Sequence, residues 1–259
     1  MNRLFGPASC FLLAILQGDA APRYQVRQLT CAAFRETVRT TVRAQSGGDP
    51  YQEQGQRRGL LVVRARPGNG GIRFEAWYDS LEVFYDARAG RLVPDTDGLI
   101  GGRWEGGLTP EGTVELMTRP FIPPDLREVS DLSDLLLDFF PPLASAPMAA
   151  GATWTDSLGL TVDRLRDSVS AGRTFRRYRW RITSHAAPPA GEDTSVRIRQ
   201  EAKDEGRLVW SDQDGAVAWQ REITIDTRLA SSRRRTPPYQ GQVVQRIAVL
   251  RVPDHPVCR

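Results

Sequence analysis

The sequence has almost no lysine, little histidine and few cysteines. Lys203 is the single lysine, so the basic residues are otherwise arginine. His185 and His255 are the only histidines. Zinc sites draw on three or four clustered ligands, and two distant histidines do not supply them. No Gly-x-Ser-x-Gly elbow offers a nucleophile for a histidine to activate. A Walker loop and a dinucleotide fingerprint are also missing. Pro67 to Gly71 is glycine-rich but leads into an extended run, whereas phosphate cradles open a helix. No cofactor, metal site or catalytic residue is therefore expected. Long apolar runs are lacking too. The main one lies within Leu4 to Leu16. A membrane-spanning helix needs a longer stretch, about 20 residues.

What is there begins with an export signal. Met1, Asn2 and Arg3 make a positive start, and Phe11 to Leu16 (FLLAIL) is the apolar core. Gly18 and Ala20 place small residues at −3 and −1 of a cut after Ala20. Cys10 precedes the apolar core, which argues against lipidation there. The expectation is a secreted or periplasmic protein of the cell envelope, not membrane-spanning after cleavage. Cys31 and Cys258 are then the remaining thiols in an oxidising space, and a disulfide between them is expected. Closing so long a loop stabilises by roughly 5 kcal/mol in the chain-entropy view.

Hydrophobic residues are 40% of the chain and charged residues 25%. That is the composition of an ordinary globular chain. Net charge is only +4, with acids interleaved among the arginines, so no nucleic-acid partner is expected. Apolar and polar residues alternate through most of the length. Val38, Thr40 and Val42 oppose Arg39, Thr41 and Arg43; Tyr178, Trp180 and Ile182 oppose Arg177, Arg179 and Arg181. Such alternation marks half-buried antiparallel strands. Leu132, Leu135, Leu136 and Phe139 fall on a helical stripe, with Ser130 as N-cap and Pro141-Pro142 as terminator. The fold class expected is mainly β: antiparallel curved sheets or half-barrels, with a helix over residues 130–140. The domain reading is 1–20 signal peptide, 21–142 a β-rich half with a C-terminal helix, 143–151 a proline-rich linker, and 152–259 a second β-rich half. Gly90-Arg91-Leu92-Val93 recurs as Gly206-Arg207-Leu208-Val209, each followed by an Asp-x-Asp-Gly turn and a tryptophan. This keeps open two related β units.

Three patches invite chemistry. The Asp95–Gly98 and Asp212–Gly215 turns carry carboxylates, but Asp-Gly is foremost a hairpin dipeptide and no EF-hand spacing follows. Phe175 to Arg181 alternates arginine with aromatics. That mixture suits nucleic acid, yet strand periodicity sends the aromatics inward. Glu75, Trp77 and Asp79 share one strand face. They form a candidate binding surface, since acids beside aromatics suit a saccharide.

Gly151-Ala152-Thr153-Trp154-Thr155-Asp156, after a helix and a proline-rich stretch, resembles the Gly-Asp-x-Trp step of a group of uncharacterised secreted bacterial β-proteins. Here Ala152 replaces the usual acid. The resemblance implies a signal peptide and two strand-rich halves around the step, and it brings no established activity. The leading expectation is a non-enzymatic binding protein holding an apolar ligand, or an envelope partner, in a sheet concavity. The alternatives are a carboxylate-dependent envelope hydrolase acting on glycans and a purely structural or assembly-associated protein.

Overall fold

A computed structural model describes residues 20–46, 49–68, 71–130, 132–186, 196–231 and 239–259. Of the expected export signal, residues 1–20, all but Ala20 lie outside them. Three long strands come first: β1 (Ala32–Ser46), β2 (Asp49–Gly68) and β3 (Gly71–Ala87). Short strands follow: β4 (Gly90–Leu92), β5 (Trp104–Leu108) and β6 (Val114–Thr118). After a crossing segment come β7 (Thr153–Thr155), β8 (Thr161–Ser170), β9 (Arg173–Ala186), β10 (Val196–Ser211), β11 (Gly215–Ser231) and β12 (Tyr239–Val252).

These strands form one antiparallel sheet in the order β6-β5-β3-β2-β1-β12-β11-β10-β9-β8-β7, with β4 beside β3. The chain starts mid-sheet, walks to one edge, crosses, and walks back in from the other. β1 and β12 pair from Ala33/Val252 to Ser46/Tyr239 and join the two halves. The expected mainly β architecture of curved antiparallel sheet is what the chain adopts.

Curvature follows from a simple distance argument. Phe74 on β3 and Trp219 on β11 lie four strand spacings apart. On a flat sheet that separation is roughly 19 Å. Yet Phe74 packs on Phe140 (6.3 Å) and Trp219 on the adjacent Phe139 (5.1 Å). The sheet therefore wraps around these two rings. Phe34, Leu61, Phe74, Tyr78, Trp180, Leu208, Trp210 and Trp219 all face this hollow and are buried.

Two segments fill one end of the concavity. The N-terminal stretch carries α1 (Val26–Leu29) and sets Tyr24 against Phe140 and Trp210. It also ties the two sides together: the Tyr24 amide donates to Pro110 O on one, and Arg27 to Asp212 O on the other. The crossing segment contributes Leu126, Leu132, Leu136, Phe139, Phe140, Leu143 and Met148 to the same core.

The crossing segment corrects one expectation. The helix is α2 (Pro124–Val129), and Ser130 is its C-cap, not an N-cap. Over 130–140 there is only a 3-10 turn at Leu135–Asp138. Pro124 sits in the first helical turn, where its missing N–H costs nothing. Beyond Ser130 the apolar side chains insert individually into the curved sheet, and tertiary packing outweighs helical periodicity. Residues 141–151 do not cross through solvent; Pro141, Leu143, Ala144 and Met148 are buried.

The Gly-Arg-Leu-Val recurrence does not occupy equivalent places. Gly90–Leu92 is a short peripheral strand with Leu92 exposed, whereas Leu208 lies in the core of β10. At the opposite surface of the sheet, Cys31 and Cys258 are bonded across 227 residues, fastening the chain end beside the start of β1.

Candidate functional site: a half-filled trough

The register defines what lines the hollow. On the concave face β1 presents Phe34, Glu36, Val38, Thr40, Val42 and Ala44, by alternation from the buried Phe34. Phe34 packs on Phe139 of the plug formed by the N-terminal and crossing segments, and Glu36 and Val38 above it are also buried. The buried cluster ends at Val83 on one wall, with Ile247 packed against its rim on the other. Beyond that level the same face continues past the buried cluster, as far as Ala44, which is buried again beside Gly241 and the Tyr239 ring.

A polar layer marks the boundary. Arg57 donates to both Glu36 oxygens, Nε to Oε2 at 3.1 Å and Nη2 to Oε1 at 2.9 Å. Tyr78 donates to Glu36 Oε2 at 2.6 Å, and Arg57 Nη1 donates to Ser130 Oγ at 3.2 Å. Glu36 is 1% exposed. Burial alone would push the Arg57 guanidinium down, but the Glu36 carboxylate and Tyr78 outweigh it and hold the cation above its ordinary value. The buried Tyr78 phenol is pushed well above its usual range by desolvation and then by the neighbouring Glu36 charge. Gly59 makes this geometry available. A Cβ there would lie 2.6 Å from the Tyr78 ring, so only glycine lets the phenol cross β2 to reach Glu36.

Across the trough a second pair repeats the arrangement. Arg221 donates to Asp204 through Nε (2.9 Å) and Nη2 (2.7 Å). Between the two pairs lies a recess of about 180 Å³, lined by Leu135 and Phe139 of the plug and by Trp219, Ile223, Gln245 and Ile247 of the sheet.

Above the recess the lining turns aliphatic. Val42 pairs with Val243, Val243 with Ile225 and Ile225 with Ala202, so one row of four small-to-medium apolar side chains crosses four adjacent strands on the concave face. Val42, Val243, Ile225 and Ala202 are each half-buried, as are Ile223 and Ile182 below them. The wall on β2 and β3 is more polar: Tyr85 donates to Glu53 at 2.6 Å. Desolvation and then that hydrogen bond push the Tyr85 phenol up to about 12. The half-buried stretch on β1, Thr40 and Val42, lies between Val38 (3% exposed) and Ala44 (6% exposed). At the rise of an extended strand, Val38 and Ala44 are about 20 Å apart.

No protein-family model and no curated protein matches this sequence. Among solved structures, the chain is similar to lipovitellin in a structure describing its lipid–protein interactions: 10% identity, 85% of this chain, TM-score 0.44. The chain spans about a quarter (25%) of that lipovitellin chain. It is also similar to a DUF1329 family protein from Desulfovibrio piger, at 10% identity over 86% of this chain and 87% of that one, TM-score 0.19.

The residues singled out from sequence lie elsewhere. Glu75 and Trp77 are on the outer face, and Asp79 is the exposed extra residue of a β-bulge opposite Leu60 and Leu61. The Trp77 ring is 6% exposed, with the Arg103 guanidinium 3.6 Å and Arg64 5.2 Å from its centroid. Cation–π stacking thus occupies the indole. The Asp-x-Asp-Gly sequences are turns: Asp95 Oδ1 accepts from the Asp97 amide, and Gly215 adopts φ +77° in the β10–β11 hairpin. Among the described residues no three metal-ligating side chains cluster. His255 caps the C-terminal 3-10 turn, its Nδ1 accepting from the Val257 amide.

Sequence reading missed the polar boundary. Glu36, Arg57, Asp204 and Arg221 are separated widely along the chain, and nothing in their local spacing distinguishes them from the many outward-facing charges. The one available signal was phase: Glu36 alternates with Phe34 and Val38, not with Arg35 and Arg39.

Proposed function

We propose that this chain is an exported envelope protein that binds an amphiphile, holding its long aliphatic chain in the open half of the trough. The observation that carries the reading is the Val42–Val243–Ile225–Ala202 row: aliphatic, on the core side of the sheet, and outside the buried core. A protein that leaves such a stripe on its concave face gains by covering it, at about 25 cal/mol per Å². An extended chain of long-chain acyl type matches the ~20 Å length. Its polar end would sit at the Ala44 end, where Tyr51 on β2 faces Ala44, and its far end would approach the recess above the Glu36–Arg57 pair.

Binding is favoured over hydrolysis by the state of the carboxylates on this face. Glu36 and Asp204 are each held bidentately by an arginine, and Glu53 accepts from Tyr85. A glycosidase needs two carboxyls free to reach the scissile bond, and these three are committed to arginine and tyrosine partners. Export rests on the N-terminal sequence and fits the Cys31–Cys258 bond.

The test is native mass spectrometry of the mature protein purified without detergent from the envelope fraction. An amphiphile that co-purifies and is removed by organic extraction supports the proposal. A protein isolated bare, which then takes up no fatty acid or phospholipid, refutes it. A stable dimer that hides the stripe would favour the assembly reading instead.

A further inference from the structure

The outer face of the sheet carries a second feature, separate from the trough. A depression of about 610 Å³ opens over β9, β10, β11, β12 and β1. Two cross-strand rows line it. In one, Arg39 faces Arg246, Arg246 faces Glu222, and Glu222 faces Glu205. In the next, Gln220 faces Arg207, and Arg207 faces Arg179.

Like charges directly opposite each other in a sheet are destabilising, and the depression contains two arginine pairs, Arg39/Arg246 and Arg179/Arg207. One member of each has a carboxylate. Arg246 Nε donates to Glu222 at 2.6 Å, and Arg179 donates to Asp163 through Nη2 at 2.8 Å. The other members, Arg39 and Arg207, make no ion pair among the described residues. Between them lie Gln220 and the facing carboxylates Glu205 and Glu222, acceptors for hydroxyl groups.

We infer that this depression is a binding site for a small saccharide bearing two anionic groups, one held at Arg39/Arg246 and the other at Arg207/Arg179. Guanidinium forks match phosphate and carboxylate bidentately. The two arginine pairs are three strand spacings and two residues apart, roughly 16 Å between their centres on the sheet, and the long arginine side chains that reach into the depression shorten that span. A hydroxylated spacer between the two anions meets Gln220 and Glu205. A single phosphate engages only one pair, so two correctly spaced charges are what the geometry selects. The site does not depend on occupancy of the trough, which opens on the other face.

The experiment is calorimetric titration at near-physiological ionic strength, where diffuse attraction is screened beyond about 8 Å. Fructose 1,6-bisphosphate is the two-anion probe; fructose 6-phosphate and inorganic phosphate are the one-anion controls. The expected result is saturable binding of the bisphosphate at least tenfold tighter than either control. Arg39→Gln and Arg207→Gln should each reduce it about tenfold, while Arg43→Gln, outside the depression, changes it less than twofold. All three variants should retain the parental circular dichroism and Tm. Equal affinity for one- and two-anion probes, or equal loss in all three variants, would show generic attraction to a basic protein and overturn the inference. Binding to vesicles of phosphatidylglycerol without binding to the bisphosphate would overturn it as well, in favour of a membrane contact.

Discussion

Glu36 shows how much a single buried charge can govern. Its carboxylate takes three hydrogen bonds, two from Arg57 and one from Tyr78, and it is 1% exposed. Breaking a buried pair from one side leaves an uncompensated charge, at about 3–5 kcal/mol. Arg57→Ala is therefore expected to lower stability by about that amount in urea unfolding. Replacing both, Glu36→Leu with Arg57→Met, should cost far less, because no bare charge remains. A double variant as unstable as the single one would show that the network contributes more than charge compensation.

The tyrosines give a pH dependence with a definite sign. The folded state raises the phenols of Tyr24, Tyr78 and Tyr85, each chiefly by desolvation. It therefore holds those protons more tightly than the unfolded chain. Their contribution is complete below the unfolded value near 10 and is lost as pH rises through the folded values, about 12 for Tyr85. Thermal unfolding should thus be insensitive to these groups up to about pH 10 and then fall steeply. Tyr78→Phe should soften that fall. A Tm flat through the folded Tyr85 value of about 12 would contradict the arrangement.

At the scale of elements, strands were legible in the sequence and the plug was not. Period-two alternation states which face of β1 or β9 is inward, because the side-chain period of a strand is fixed by its geometry. Tyr178 and Trp180 are buried and Arg177, Arg179 and Arg181 exposed, as the pattern implies. The crossing segment follows no such period. Leu132, Leu136 and Phe139 read as a helical stripe, but they are spaced to fill a curved surface, and the helix ends at Ser130. The trough was legible only as a class of feature. Its row of Val42, Val243, Ile225 and Ala202 comes from four strands, and only the register brings them together. Phe139 makes ring contacts with Phe34, Phe140 and Trp219. Phe139→Ala is expected to cost about 3–5 kcal/mol as a cavity variant. Calorimetry should show it as a lowered Tm with the strand signal of the remaining folded protein unchanged.

The whole molecule is a sheet whose first and last strands meet at its centre. That topology brings the N-terminal strand and the chain end together, and Cys31–Cys258 fastens them. The loop it closes is long, so the Cys31→Ser/Cys258→Ser variant is expected to lose up to about 5 kcal/mol, measurable as a reduced urea midpoint. A curved sheet without closure also has a consequence. One end of its concavity is filled by the chain itself, and the other carries the half-buried row of Val42, Val243, Ile225 and Ala202. The polar boundary of Glu36, Arg57, Asp204 and Arg221 separates the two.

The claim that the open half binds an aliphatic chain is tested most directly by titrating the extracted protein with a fluorescent long-chain fatty acid, alongside Ile225→Arg. The account predicts saturable one-to-one binding in the micromolar range, about −8 kcal/mol. It predicts loss of at least tenfold in Ile225→Arg, with circular dichroism and Tm preserved. Equal affinity in the two folded proteins, or no saturable binding by the parent, would contradict it.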